Sequence, residues 1–421
     1  MSLLFQKEVP EKGSYDLIVA GGGVAGAAAA LAGVRAGKTV LLLEKSTMLG
    51  GLATLGLINY FVPMCNGRGK AICKGMAEEF LRLSIRHGYD SLPKEWKDGE
   101  PKEPTNVRYV TRFSASIFAL ELTGLLERAG VKLLFDTVVV EPVMEGKLCK
   151  GLVVENKSGL EFYAASMVID TTGDADVLYR AGVPTVQGRN FHTYAAAGAT
   201  LDTCKRAYDE KDIGKLYGGF DSSGGHASLY GDNHPENMAY YTGTSSEDVN
   251  TYFVRNQLEF LDKLDETKRK EREVTMLPGM AQFRTTRHID ADYTLTMKDV
   301  YQHFEDSVSA INDFDRRDFL FEIPYRSMIR SEFPNLITAG RTVAGEAYAW
   351  DILRVIPPAI LSGQAAGNAA ALAIEEGKGL GEIDVKELQK RLEAQNVMIH
   401  FDDAWINWDA DQGRVDDNGH F

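Results

Sequence analysis

Several features that define other protein classes are scarce in this chain of 421 residues. Its four cysteines form no CxxC pair and, like its eight histidines, show no metal-ligand spacing. We therefore expect reduced thiols, a cytoplasmic location and no bound metal ion. No run reaches about 18 uninterrupted apolar residues, and the polar start MSLLFQKEVPEKGSYD is unlike a signal peptide. We predict neither a membrane span nor a membrane partner.

Positive charge is also in deficit, with 46 Lys and Arg against 60 Asp and Glu, a formal net charge of −14. Such a balance argues against nucleic acid as the main partner, because the phosphate backbone attracts basic surfaces. A chain of this length with 44% hydrophobic residues can bury a large core and form two or three domains. We therefore expect a globular protein. The net charge says little about small anions as ligands, because they respond to local charge. The acidic surface suits a monomer or a homo-oligomer.

The chain opens with the pattern of a β-α-β unit. The apolar run Tyr15–Ala20 predicts a buried strand, Val24–Ala36 a helix of small residues, and Lys38–Glu44 a second buried strand. Between the first two lies GGGVAG, residues 21–26, which matches the GxGxxG pattern. In this context the pattern indicates a dinucleotide-binding turn, and a purely structural glycine turn is the alternative.

Each part of that turn has a physical role. Gly21 permits a tight turn, Gly23 lets the backbone approach a pyrophosphate, and Gly26 allows close helix packing. The helix N-terminus favours the negative phosphates. Glu44, at the end of the second strand, is placed to accept hydrogen bonds from ribose hydroxyls and would repel a 2′-phosphate.

The rest of the chain divides by composition. A mixed, aromatic-rich middle with a charged helix over residues 246–273 separates the opening unit from a buried strand at Asn335–Gly340. A helix of small residues then begins at Pro357 or Pro358, with its first turn clear of large polar side chains. We predict a discontinuous domain, residues 1–182 and 331–380, that carries a second domain at 183–330 and a C-terminal helix and tail at 381–421.

The segments GGGVAG, LGG, IDTTGDAD, ITAGR and RVIPPAILSGQAAG together resemble the glutathione reductase-like FAD-binding fold. More narrowly, they are similar to FAD-dependent oxidoreductases related to the fumarate reductase and succinate dehydrogenase flavoproteins. FRTTRHIDADYTLTMKDV and FEIPYRSM resemble that family's substrate-side segments, with less specificity. The resemblance implies an α/β, Rossmann-like FAD-binding fold with an inserted α+β substrate domain.

The same resemblance implies an FAD site. It assigns the pyrophosphate to the GxGxxG glycines, the adenosine ribose to Glu44 and the ribityl chain to Gly340 and Arg341. The helix at Pro357 would direct its N-terminus at the N1–C2=O edge of the flavin and favour the reduced form. The full set of implied cofactor residues is Gly21, Gly23, Val24, Ala25, Gly26, Glu44, Lys45, Gly50, Gly51, Leu52, Val139, Thr172, Gly173, Asp174, Gly340, Arg341, Pro357, Ala359 and Ile360.

The sequence departs from the fumarate reductase pattern in one visible way. A counterpart of the His-bearing segment that tethers the flavin covalently is not evident, so we expect noncovalent FAD. A second GxGxxG motif for a nicotinamide nucleotide is also missing, which favours electron exchange with the substrate or a redox partner protein. The alternatives are a flavoprotein subunit that passes electrons to a protein partner and a dinucleotide-binding protein without redox turnover.

The segment FRTTRHID is the candidate substrate element. Arg284, Arg287 and His288 would bring donors to a carboxylate or another oxyanion, and His288 would move a proton near neutral pH. The alternative is that the arginines are structural and pair with acids such as Asp290. Arg354, beside the predicted flavin helix, completes the candidate catalytic residues.

Overall fold

The structure, a computed structural model, describes residues 6–217, 231–265 and 269–406 together with Leu4, Gly225 and Ala227. Its strands in chain order are β1 Glu11–Ala20, β2 Val40–Leu43, β3 Tyr60–Phe61, β4 Thr111–Arg112, β5 Lys132–Leu134, β6 Val138–Glu145, β7 Leu148–Asn156, β8 Gly159–Asp170, β9 Thr185–Gln187, β10 Ala197–Thr200, β11 Arg272–Met276, β12 Arg287–Ile289, β13 Ser307–Asn312, β14 Leu320–Pro324 and β15 Leu336–Thr338. Its α-helices are α1 Val24–Arg35, α2 Met76–Ile85, α3 Ala115–Ala129, α4 Asp176–Arg180, α5 Leu201–Glu210, α6 Ser246–Asp265, α7 Ala347–Arg354, α8 Ile356–Glu376 and α9 Val385–Ala394.

A parallel sheet in the order β5-β2-β1-β8-β15 forms the centre of the fold. The first part of the long strand β8 instead pairs with β7, and β7 with β6, both antiparallel. Ala20 at the end of β1 stands opposite Leu43 and Asp170, and Asp170 stands opposite Thr338. Four parallel strands therefore end at one level, which is where open α/β sheets bind their ligands.

Helices α1 and α8 pack against each other beside this sheet. Both are rich in alanine and glycine, and α8 is buried from Ile356 to Ala373. A side chain at Gly363 would overlap the backbone carbonyl of Ala25, so glycine is required for the two helices to approach this closely. The sequence pattern of small residues thus encodes a helix pair rather than an amphipathic surface helix.

The inserted region has smaller sheets. Strand β9 pairs with β12, and β10 with β11, both antiparallel. A cluster of buried aromatic side chains forms around α6, where Tyr252 of the helix contacts Tyr241 and Phe283. Strands β13 and β14 pair with each other and contribute to the main core around α1 and α8. The Rossmann-like α/β architecture with an inserted α+β region, predicted from the sequence, is confirmed.

Two predicted helix limits differ from the structure. The charged helix predicted over 246–273 was too long, because α6 ends at Asp265 and Arg272–Met276 forms strand β11. Pairing with β10 overrides the helical preference of this charged run. Helix α8 begins at Ile356, just before the predicted Pro357. Residues 407–421 of the predicted C-terminal tail lie outside the described residues.

Within the described part of the chain, no helix combines the length and the apolar character needed to cross a membrane.

Candidate cofactor and substrate site

A cavity of about 490 Å³ lies at the carboxyl ends of β1, β2, β8 and β15. The turn after β1, the Gly50–Gly51 loop, the turn after β8 and the start of α8 form its wall. The predicted cofactor residues that line it are Gly21, Gly23, Val24, Ala25, Glu44, Lys45, Gly50, Gly51, Leu52, Val139, Thr172, Gly173, Gly340, Arg341 and Ala359.

Two helix N-termini lie at this cavity. The first turn of α1 offers free backbone N–H groups, whereas the first turn of α8 contains Pro357 and Pro358, which have no N–H, and contributes mainly its helix dipole. Helix α1 has Gly23 as its N-cap and α8 has Val355, and neither N-cap residue makes a side-chain hydrogen bond. A Cβ at Gly23 would meet no atom within 4 Å, so the space beside this turn is open toward the cavity. Amides without capping partners at a helix N-terminus form a site for phosphate or another negative group.

Glu44 is oriented by the backbone. Its Oε2 accepts a hydrogen bond from the amide of Gly22 at 2.7 Å, and its Oε1 accepts one from the amide of Ser46 at 2.7 Å. The carboxylate is buried and lines the cavity. Each oxygen keeps a further lone pair, so Glu44 can accept hydrogen bonds from two neighbouring hydroxyl groups.

Arg341 braces the wall between β8 and β15. Its Nε donates to the carbonyl of Gly173, and its guanidinium forms an ion pair with Asp174 at 2.7 Å. Burial opposes ionisation of Asp174, but Arg341 and the hydroxyl of Thr286 hold its pKa below the usual value. Arg341 therefore fixes the turn after β8, and part of its polar surface is already occupied by protein.

Four predicted cofactor residues stand outside the lining of this cavity. Gly26 packs against the carbonyl of Gly21 and the Thr171 hydroxyl, where a side chain would overlap both. The Asp174 carboxylate forms an ion pair with Arg341, and Pro357 and Ile360 are buried in α8. These residues shape the wall rather than face the space inside it.

A larger cavity of about 840 Å³ lies between β9, β12 and α7. Three of the predicted catalytic residues, Arg284, His288 and Arg354, line it. Arg354 also lines the smaller cavity, so the two cavities share a wall. In that wall the Arg354 guanidinium is paired with Asp351 at 2.5 Å.

The fourth predicted catalytic residue, Arg287, is in neither lining. Its guanidinium pairs with Asp176 at 2.5 Å, donates to the carbonyl of Asp174 and lies 4.2 Å from the ring centroid of Tyr179. Because successive side chains of a strand point to opposite faces, Arg287 faces away from the cavity that His288 lines. Arg287 has the structural role that the sequence left open, although with Asp176 as its partner.

Sequence reasoning missed several residues around the larger cavity. The side-chain oxygen of Asn190 accepts hydrogen bonds from the amides of Arg284 and Thr285, at 2.6 and 3.0 Å, and so positions Arg284. Trp350 packs edge-on against the His288 ring, with centroids 4.5 Å apart. Neither residue belongs to a recognisable motif, so no local signal was available to find them.

Comparison with known families decides which cofactor this geometry serves. The family model described as FAD dependent oxidoreductase matches residues 16–212 and 233–392, most of the chain. The chain belongs to this family. It is an FAD-dependent oxidoreductase, and FAD is its cofactor, as the sequence motifs predicted.

Individual relatives are more distant. A digeranylgeranylglycerophospholipid reductase from Methanoculleus marisnigri is 28% identical over 181 residues, which cover 42% of this chain and 43% of that protein. The chain thus matches less than half the length of this curated relative. Among solved structures, a geranylgeranyl bacteriochlorophyll reductase-like protein from Thermoplasma acidophilum has 15% identity, coverage of 93% and 94%, and a TM-score of 0.46. A p-nitrophenol 4-monooxygenase from Pseudomonas putida has 14% identity, coverage of 93% and 91%, and a TM-score of 0.49.

The residues of the smaller cavity fit FAD. Negative phosphates need hydrogen-bond donors that no nearby carboxylate occupies. The backbone amides in the first turn of α1 are such donors, because that turn has no capping side chain and no acidic residue. A ribose needs a hydroxyl acceptor, which Glu44 provides at the end of β2. The uncapped start of α8 supplies a second positive end on the same cavity.

Proposed function

We propose that this enzyme oxidises or reduces a small organic anion held in the larger cavity by Arg284, with a proton exchanged at His288. Bound FAD supplies the acceptor or donor of two electrons. The observation that carries the proposal is the guanidinium of Arg284, which lines the cavity and has no hydrogen-bond acceptor among the residues that the structure describes.

The charge of Arg284 supports an anionic substrate. Burial, and next the nearby positive charge of Arg354, lower the pKa of Arg284 to about 10. Arg284 is therefore still protonated at neutral pH. Since Arg354 is already paired with Asp351, Arg284 carries the positive charge that a substrate carboxylate or phosphate would neutralise. A planar guanidinium can bind such a group with two parallel hydrogen bonds.

His288 is arranged to accept a proton. Its Nδ1 lies 2.7 Å from the backbone carbonyl of Ile289, which can only accept, so Nδ1 carries the hydrogen. Burial lowers the pKa of His288, so the ring is neutral and Nε2 has a lone pair. Within the described residues no hydrogen-bond donor meets Nε2. A substrate hydroxyl or acidic C–H beside Nε2 would find a general base there.

The positions of the two cavities support a reaction between a substrate in the larger cavity and a cofactor in the smaller one. Arg354 lines both, so a substrate bound at Arg284 lies on the other side of the wall that faces the cofactor cavity. Trp350 in that wall donates its indole N–H to the carbonyl of Arg341 at 2.7 Å, which ties the substrate side to the cofactor side. The protein's own task is to hold the anion, exclude water and manage the proton.

Spectral titration of the FAD-loaded enzyme tests the proposal. The panel comprises mono- and dicarboxylates and, because the Methanoculleus marisnigri relative is named for a glycerophospholipid, a phosphate monoester. An anion that binds is expected to perturb the flavin absorbance. The Arg284→Ala variant is expected to have about 10- to 100-fold lower affinity for that anion, because it loses a charge-assisted hydrogen bond. The control is Arg326→Gln, which removes an exposed arginine paired with Asp306. Equal effects of both variants, or flavin turnover that requires a partner protein, would contradict the proposal.

A further inference from the structure

We propose that His303, Glu322 and His400 bind a divalent transition-metal ion, separate from the FAD and substrate cavities. Nδ1 of His303 lies 2.6 Å, and Nδ1 of His400 2.9 Å, from Oε1 of Glu322. All three ligand atoms lie within 4.8 Å of one another. Two imidazole nitrogens and one carboxylate oxygen are a ligand set that suits Zn²⁺, Co²⁺ or Ni²⁺ rather than Mg²⁺ or Ca²⁺.

The charge of Glu322 supports a cation here. Glu322 is fully buried on β14, and its Oε2 accepts a hydrogen bond from the amide of Phe304 at 2.7 Å. No lysine or arginine pairs with it in the described part of the chain; its ionic neighbours are the two histidines. A buried carboxylate needs compensating charge. In the metal-free cluster His303 supplies it, because both of its ring nitrogens face carboxylate oxygens and must carry hydrogens. A divalent ion would take the place of the proton between His303 and Glu322.

The surroundings of His303 also match a metal ligand. Its Nε2 lies 2.9 Å from a carboxylate oxygen of Asp403. Histidines that bind metals commonly donate their second ring N–H to a carboxylate, which orients the ring and leaves the other nitrogen to the metal. The ring of Phe401 lies 4.3 Å from the His303 ring, centroid to centroid, and restricts its movement.

The cluster can open to admit an ion. Bonds of about 2.1 Å in a tetrahedral site place ligand atoms roughly 3.4 Å apart, so each imidazole nitrogen must move away from Glu322 by less than about 1 Å. Both imidazoles have room, since the His303 and His400 side chains are 37% and 42% exposed. Water can reach the remaining coordination positions through the same exposed side.

A metal here would fasten the C-terminal segment to the core. That segment already contacts β13, where the Ala310 amide donates to the Met398 carbonyl at 2.6 Å and the Ser307 hydroxyl donates to the Ile399 carbonyl at 2.6 Å. Ligands from the loop before β13, from β14 and from this segment would join three parts of the chain. Metal loading is therefore expected to raise thermal stability independently of redox activity.

The test uses full-length, tag-free, FAD-loaded protein treated with EDTA and dialysed. Titration with Co²⁺ at pH 7.5 is expected to give visible d–d absorption that saturates at one equivalent. Zn²⁺ is expected to displace the signal and raise the melting temperature by a few degrees, reversibly with EDTA. His400→Ala and Glu322→Gln are expected to weaken Co²⁺ binding at least 100-fold, and Asp403→Asn about 10- to 100-fold.

The matched control is His87→Ala. His87 is also an exposed histidine on a buried glutamate, Glu121, but there Arg86 supplies the compensating charge. This variant is expected to bind Co²⁺ as the wild type does. Absence of saturable one-to-one binding by the wild type would overturn the proposal, as would unchanged binding by His400→Ala. Both readouts are independent of substrate turnover, so they separate this inference from the proposed reaction.

Discussion

Replacing Gly23 with alanine is expected to separate cofactor binding from folding. A Cβ at Gly23 meets no protein atom within 4 Å, and its φ of −62° and ψ of 177° are accessible to alanine. The apoprotein should therefore keep its stability. The methyl group would instead occupy space in front of the α1 amides, where the negative phosphates of FAD belong.

The size of the effect follows from what the methyl group displaces. One charge-assisted hydrogen bond, worth about 1.5–3 kcal/mol, would be lost. Weaker interaction with the α1 dipole adds about 0.3–1 kcal/mol. A total of about 2–4 kcal/mol corresponds to FAD affinity lower by roughly 30- to 1,000-fold.

Two measurements check this expectation. Thermal unfolding of the apoprotein reports stability, and quenching of FAD fluorescence during titration reports affinity. Gly26→Ala is the matched control, because its methyl group would overlap the carbonyl of Gly21 and should destabilise the apoprotein itself. The reasoning fails if Gly23→Ala binds FAD within threefold of wild type, or if its apoprotein melts as early as that of Gly26→Ala.

Three further predictions follow from the site and the core. His288→Gln should lower kcat/KM by about 10²- to 10⁴-fold and remove the acid limb of its pH profile, since the wild-type base must be neutral and burial lowers its pKa; an unchanged profile would exclude His288 as the base. Burial raises the pKa of Asp170 to about 6, so its contribution to stability is full below the unfolded value near 4 and lost as pH rises through 6. The unfolding free energy of wild type minus that of Asp170→Asn, measured by urea denaturation, should therefore increase from pH 7.5 to pH 5, and a flat difference would contradict this. Gly363→Ala should cost about 1–3 kcal/mol in the same assay through overlap with the Ala25 carbonyl, whereas a wild-type value would show that α1 and α8 can separate cheaply.

The sequence brought out most of the residues that line the smaller cavity, because their signals are local. GGGVAG, the strand before it and Glu44 lie in one short stretch, and their spacing reflects one β-α-β unit. The helix α8 was likewise visible from its prolines and small residues. Local patterns of this kind reflect the backbone conformations that glycine and proline allow, and these residues can be read directly from the sequence.

The substrate side was only partly predictable because the strand within FRTTRHID has only three residues, too few for an alternating pattern to show. The segment Arg287–Ile289 is a strand, so His288 and Arg287 face opposite ways and only His288 lines the cavity. The His303, Glu322 and His400 cluster was invisible for a different reason. Its members lie 19 and 78 residues apart along the chain, and only tertiary packing brings them together.

The stretch RVIPP shows how one local rule serves both cavities. A proline inside a helix has no N–H for the carbonyl four residues before it, and its ring clashes with that carbonyl, so α7 cannot run on unbroken through Pro357 and Pro358. Helix α7 ends at Arg354, and Val355 is extended, at φ −70° and ψ 162°. The break leaves Arg354 at the end of α7, in the wall shared by the two cavities. It also starts α8 afresh, with its N-terminus at the cofactor cavity. A continuous helix would have no N-terminus here and so no positive end at the cofactor cavity, so the prolines set the positions of the α8 dipole and of Arg354 through the same interruption.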